Sequence, residues 1–236
     1  MLTLPRIENA GLNAWLVRLF EAIDDANLAA IMALSQHCAV AFGAALVDLT
    51  PSYTTLLVEF DITQLSPAQA HCKLRGLLAE LAQTPPMAAG PLKELPVWYA
   101  PSVGPDLARV AQQSGFCVEQ VIELHCATIY KVFALGFAPG FAFMGSVDSR
   151  LATPRLTTPR PRVSAGSVAL AGRQTSAYPA QSPGGWNLLG RTPVVLFDRN
   201  REPMSYFQVG DRVQLVPVTQ QEFLRLGGDP TPQEDN

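Results

Sequence analysis

Four short stretches carry most of the chemistry that this sequence offers. In residues 135–145, Gly136, Gly140 and Gly145 and Pro139 are set among Phe137, Phe141 and Phe143. A tight loop of this kind exposes backbone N–H groups between aromatic walls and suits an anion or a carbonyl oxygen. Gly136 and Gly140 are its candidate cofactor contacts, with a barrel corner packed by aromatics as the structural alternative. Next come Thr153-Pro154-Arg155 and Pro159-Arg160-Pro161-Arg162. Each proline stiffens the chain beside an arginine and lowers the entropy that arginine loses on binding, which describes an anion clamp. In the third stretch Gln174, Thr175 and Tyr178 offer neutral donors and acceptors for an amide or a carboxylate. In the fourth, Gly184 and Gly185 let a ligand approach the main chain, Trp186 supplies a flat wall and Arg191 a forked cation. His125 lies on one helix face with Val121 and Ile122. It reads as a hydrogen-bonded core histidine or, more sharply, as an acid/base group.

The charge distribution supports a local anion site. The chain has 236 residues and a net charge of −3, yet residues 124–197 hold seven basic residues against one acid. Six of the seven are arginines. The small net charge argues against a general nucleic-acid binder. There is no GxxxxGK[ST] loop, no GxSxG elbow, no HExxH and no lysine between methionines. Cys38, Cys72, Cys117 and Cys126 form no CxxC, so no metal is signalled; reduced thiols and a cytoplasmic home are expected. Residues 26–47 carry no charge, but Ser35, Gln36 and His37 interrupt them, and the run 38–47 is too short to span a bilayer. It reads as the end of a buried helix followed by a buried strand, and no membrane is expected as a partner.

The elements that must position these residues fall on two sides of a linker at 84–91, which has three prolines and a glycine. Domains are expected at 1–84 and 92–236. In the first, strands near 3–8 and 13–19 precede a helix over 25–41, a hairpin at 44–60 and a second helix after Ser66. Ser66 and Gln69 have capping-box spacing, with Pro67 at the first helical position. This is an α+β layout. In the second, a strand at 95–100 and helices ending at Gly115 and near Cys126 lead into Gly/Pro-rich, strand-like sequence. Strands are expected at 128–135, 167–171, 186–189, 194–198 and 212–217, followed by a short helix at 219–226. Many short strands between Gly/Pro turns indicate a closed or nearly closed β-barrel.

In this order, the stretches resemble the PxpB family, the B-type subunits of bacterial 5-oxoprolinase. That family includes the kinase inhibitor KipI and was formerly called allophanate hydrolase subunit 1. The resemblance rests on 104–107, 120–125, 135–145, 153–155, 159–168, 172–179, 183–193 and 209–217, about a third of the chain. The chain departs from the family pattern at Gln120, Phe143, Met144, Ser164, Val209 and Leu215. The resemblance implies a ferredoxin-like α+β domain followed by a cyclophilin-like β-barrel. It implies a subunit that acts with PxpC-like and PxpA-like partners, opening 5-oxo-L-proline to L-glutamate with ATP, and that is inactive alone. Arg155, Arg160, Arg162 and Arg191 would then meet carboxylate or phosphate. Gln174, Thr175 and Tyr178 would orient the lactam, and Gly184, Gly185, Trp186 and the 136–140 loop would complete the site. Alternatives within the same resemblance are a KipI-like inhibitor of a sensor histidine kinase and a carboxyltransferase component of a urea-carboxylase-like system.

Overall fold

The computed structural model describes residues 4–81 and 90–234. Its contacts divide the chain into two units, Met1–Ala89 and Gly90–Asn236. Of the linker expected at 84–91, all but Gly90 and Pro91 lies outside the described residues.

The first unit runs β1 (Arg6–Asn9), β2 (Ala14–Arg18), α1 (Asn27–Phe42), β3 (Leu46–Pro51), β4 (Thr55–Phe60) and α2 (Pro67–Leu81). Its sheet has the order β1-β2-β4-β3, and every neighbouring pair is antiparallel. β4 thus lies between the two strands that α1 connects. Ser66 opens α2: its backbone N–H donates to Gln69 Oε1 at 2.9 Å, and the Gln69 N–H donates to Ser66 Oγ at 3.3 Å. α1 and the turn after it (Asn27–Ala45) are long and apolar enough to cross a membrane by length and composition. Here Ile31, Leu34, Cys38 and Phe42, at helical spacing, join Val17, Leu56, Val58 and Phe60 in one core. The strand that follows departs from the buried strand expected of its apolar start. β3 is an edge strand with only β4 as a neighbour, and Val47, Asp48 and Thr50 face solvent.

The second unit holds β5 (Leu92–Val97), α3 (Leu107–Ser114), α4 (Val118–Ala127), β6 (Ile129–Leu135), β7 (Ala142–Gly145) and β8 (Arg160–Val163). It continues with β9 (Ser167–Ala171), β10 (Gln174–Ala177), β11 (Ser182–Gly184), β12 (Asn187–Arg191), β13 (Arg212–Pro217) and α5 (Gln220–Arg225). Seven strands form a sheet in the order β12-β9-β10-β7-β6-β13-β5, and β11 pairs with β8 in a separate ribbon. The sheet is antiparallel except where β13 meets β5. It curls until its two edges touch at one point. There the Trp98 N–H donates to the Arg191 carbonyl at 2.8 Å, and the Arg191 N–H returns to Trp98 at 2.9 Å.

Both faces of the middle strands are covered. All five residues of β9 are buried. Val168 and Leu170 join a core with Val132, Met144, Leu189 and Leu215, whereas Ala169 and Ala171 face a second cluster with Phe141, Tyr178 and Trp186. That division is the two-residue period of a strand. The small side chains on the second face leave room for rings to lie against the sheet.

The strand expected at 194–198 is absent. Its Asp198 N–H donates to Met204 and its Leu196 carbonyl accepts from Tyr206, so it pairs with an irregular loop through one isolated bridge. Four short strands, β7, β8, β10 and β11, lie within the Gly/Pro-rich sequence where none was expected.

Candidate functional site

All four stretches contribute to one small cavity in the second unit. Its walls are Phe137, Phe141, Phe143, Arg155, Tyr178, Gly184, Gly185 and Trp186, and its volume is about 90 Å³. The aromatic rings pack edge to face. Phe141 meets Tyr178 at 5.3 Å and Trp186 at 5.7 Å between centroids, and Phe137 meets Phe141 at 5.2 Å. Such pairs set ring edges against ring faces and fix the walls.

The polar groups reach this cavity from separate segments. The Arg155 guanidinium lies over the Trp186 ring, 5.7 Å from its centroid. Arg155 is exposed and makes no ion pair or hydrogen bond among the described residues. The Tyr178 hydroxyl accepts from the Trp186 backbone N–H. Burial raises the Tyr178 pKa, opposed by that N–H and by the positive charges of Arg155 and Arg160. Gly184 makes this approach possible, because a Cβ there would stand 2.3 Å from the Tyr178 oxygen. The cavity therefore offers one cation, one hydroxyl and flat apolar walls.

The other expected site residues are employed differently. Arg160 makes a two-pronged salt bridge with Asp106, at 2.8 and 3.0 Å, and both side chains are nearly buried. Asp106 also accepts the Leu188 N–H at 2.8 Å. A carboxylate does meet Arg160, but it is the protein's own, and a buried fork of this kind is spent on structure. Arg191 is 2% exposed and donates from Nη1 to the carbonyls of Asp229 (2.9 Å) and Thr231 (2.6 Å). Its Nε and Nη2 have no hydrogen-bond partner among the described residues, and burial lowers its pKa. It pins the C-terminal segment and does not line the cavity. Arg162 lies 3.5 Å from Glu234, with both side chains exposed, at a separate depression beside Ser164 and Gln233.

The backbone glycines of the 136–140 loop also differ from expectation. The Gly136 N–H donates to Phe141 at 3.2 Å, and Gly140 is buried, with the place of a Cβ only 2.7 Å from Phe197. Neither glycine lines the cavity, so the loop contributes its aromatic rings instead.

The third stretch is split by the pleat. Thr175 stands opposite Leu170 and Met144, so it faces the inner core, where its Oγ1 meets His125 Nε2 at 2.9 Å. Because that Oγ1 donates to Ala169 O at 3.0 Å, it accepts from Nε2–H, and His125 Nδ1 accepts from the Tyr99 hydroxyl at 3.0 Å. Burial pushes the His125 pKa down to about 3. A neutral imidazole with both nitrogens occupied ties α4 to β10; this geometry gives no support to a catalytic role for His125 or Thr175. Gln174, opposite Ala171, lies on the aromatic face of the sheet but outside the cavity lining.

Sequence reasoning missed the acid that neutralises Arg160. Asp106 reads as a helix start, and it does precede α3 but makes no cap hydrogen bond. Asn187 was also missed: it is fully buried, holds Leu170 O at 2.9 Å and Pro154 O at 3.0 Å, and accepts from Arg109. It anchors the segment that carries Arg155. Its position directly after Trp186 was the available signal. Among the described residues no three His, Cys, Asp or Glu side chains come together as a metal site.

A curled mixed α/β sheet of this order defines a carboxyltransferase-like domain. Residues 5–207 match the model of the carboxyltransferase domain, subdomains C and D. Kluyveromyces lactis urea carboxylase shares the fold, with a TM-score of 0.72 over 93% of this chain and 22% of that one, at 19% identity. The chain is 33% identical over 228 residues to the B-type 5-oxoprolinase subunit of Bacillus subtilis (strain 168), covering 92% of this chain and 95% of the relative. The solved structure of TTHA0988 is 36% identical with a TM-score of 0.76, and this chain spans 93% of itself but only 41% of that protein. The chain belongs to the family of B-type 5-oxoprolinase subunits, which are carboxyltransferase-domain proteins.

Proposed function

We propose that this protein is a subunit of an ATP-dependent 5-oxoprolinase, acting with PxpC-like and PxpA-like partners in the cytoplasm and inactive without them. The observation that carries this reading is the convergence of Arg155, Tyr178 and the aromatic walls on one small cavity. 5-Oxoproline is a flat lactam ring with one carboxylate. Its ring suits the walls of Phe141 and Trp186, its carboxylate suits the uncommitted Arg155, and its amide suits the Tyr178 hydroxyl. Relatives that carry the name of this 5-oxoprolinase subunit support the same assignment. Four free cysteines suit a reducing compartment.

The finer fold assignments belong to this reading too. A ferredoxin-like first unit is supported by its strand–helix–strand crossover around a central strand, with β1 supplying the edge beside β2. The second unit's edge contact at Trp98 and Arg191 suits a cyclophilin-like barrel.

A nucleoside triphosphate does not fit this cavity. A volume of about 90 Å³ and one uncommitted guanidinium suit a small monoanion, not a base, a sugar and three phosphates. No step is therefore assigned to ATP at these residues. What the chain does is bind and orient the lactam, exclude water from its ring, and place a cation at its carboxylate. The test is to combine the protein with its two partners and follow glutamate release with ATP. Release should need this chain and should fall when Arg155 is changed to Gln. Activity equal to that of the partners alone would refute the assignment.

A further inference from the structure

Phe137 stands apart from every other ring of the cavity. Phe141 and Tyr178 are 2% exposed and Trp186 is 4% exposed, whereas Phe137 is 64% exposed. It is also the one non-glycine with a left-handed backbone among the described residues, at φ 69°. An L-residue with a bulky side chain meets its own backbone there, which glycine avoids. Glycines stand at 136 and 140, on either side of the loop, yet the left-handed position at 137 carries a large ring. The conformation turns the ring onto the cavity mouth, edge to face with Phe141 at 5.2 Å and with Tyr178 at 6.3 Å.

The fold gains little from this arrangement. The ring stays largely in water, so its burial contributes little, while its backbone is strained. Strain of this kind is expected where a side chain serves a ligand. The face left open belongs to the same cavity as Arg155.

We propose that Phe137 is a ligand-contact residue that sets specificity: it is the outer wall of the cavity and closes on a flat ring whose single carboxylate meets Arg155. The ligand's identity as 5-oxoproline rests on the reading given under Proposed function. Phe137 would select rings over open-chain acids, because only a flat ring covers its exposed face while the carboxylate stays on the guanidinium. The open-chain product, glutamate, has a second carboxylate that this apolar wall cannot accept.

The experiment is calorimetric binding of 5-oxoproline and of glutamate to the full chain and to Phe137→Gly, Phe137→Ala and Phe137→Tyr, with a melting temperature for each. 5-Oxoproline should bind the Gly and Ala variants about tenfold more weakly, and the Tyr variant as it binds the natural protein. Phe137→Gly should melt about 2–4 °C higher, since it removes the strain. Phe137→Ala keeps a Cβ at the same φ and should show no such gain. Glutamate should bind the natural protein more weakly than 5-oxoproline. Equal 5-oxoproline affinity in all four proteins would overturn the role of Phe137 while leaving the 5-oxoproline reading intact, even if assembly with partners changed. A Gly variant that melts lower would overturn the strain argument. No binding of 5-oxoproline to the natural protein would remove the ligand reading and this inference with it.

Discussion

Adjacent glycines in the sequence Ser182-Pro183-Gly184-Gly185-Trp186 should respond in opposite ways to the same substitution. A Cβ on Gly184 would lie 2.3 Å from the Tyr178 oxygen, 2.8 Å from its Cζ and 2.9 Å from its Cε1. Real carbon contacts do not approach so closely, so something must move. The ring is poorly placed to do so, because Tyr178 is 2% exposed and packs against Phe141 at 5.3 Å. Overpacking of this kind costs ~1–3 kcal/mol. A Cβ on Gly185 would instead meet Pro159 at 3.6 Å, an ordinary contact. Gly185→Ala should therefore stay within ~0.5 kcal/mol of the natural protein. Urea unfolding of the two variants reads the difference directly, and in thermal melts Gly184→Ala should fall about 3–10 °C lower. Adding Tyr178→Phe removes the nearest atom but leaves Cζ and Cε1, so the double variant should recover only part of the loss. Equal stabilities for the two alanine variants, or a full recovery by Tyr178→Phe, would refute the packing argument.

Other outcomes follow from the same geometry. Asp106→Ala removes the carboxylate that holds both the nearly buried Arg160 guanidinium and the Leu188 N–H, and denaturant titration should show a loss of about 3–5 kcal/mol. Arg155→Gln should leave the melting temperature unchanged, because the side chain is exposed and unpaired among the described residues, yet weaken 5-oxoproline binding at least tenfold by calorimetry. His125 should make stability fall with acid. Its folded pKa is depressed to about 3 by burial, so below pH ~6.5 the unfolded chain takes up a proton that the folded chain refuses. That stabilisation is complete above pH ~6.5 and declines toward pH 3 by at most ~1.4 kcal/mol per unit. His125→Gln should flatten the slope between pH 6.5 and 5 in unfolding experiments; an unchanged slope would contradict the assignment of a neutral imidazole.

Much of the architecture was legible in the sequence, because it depends on short-range patterns. The capping box at Ser66 and Gln69, the stop at Gly115, and the apolar stripe of Ile31, Leu34 and Cys38 all act within a few residues of one another. The short strands β7, β10 and β11 were not legible, since three or four residues between glycines and prolines carry too little periodicity to separate strand from loop. The aromatic cavity was half legible: its residues were named, but as members of four linear stretches.

Composition and spacing determined that arginines, glycines and aromatic rings would concentrate in one half of the chain. Which arginine remains uncommitted was decided only by the fold. Asp106 lies 54 residues before Arg160, and the carbonyls of Asp229 and Thr231 lie 38 and 40 residues after Arg191. Buried guanidinium groups must find acceptors inside the protein, and those acceptors come from distant segments. Arg155 lies at the surface, where water satisfies it, and so it alone of the four brings a free charge to the cavity. The pleat settled the rest: it sent Thr175 inward to His125 and left Gln174 on the opposite face, because neighbouring residues of a strand point to opposite sides.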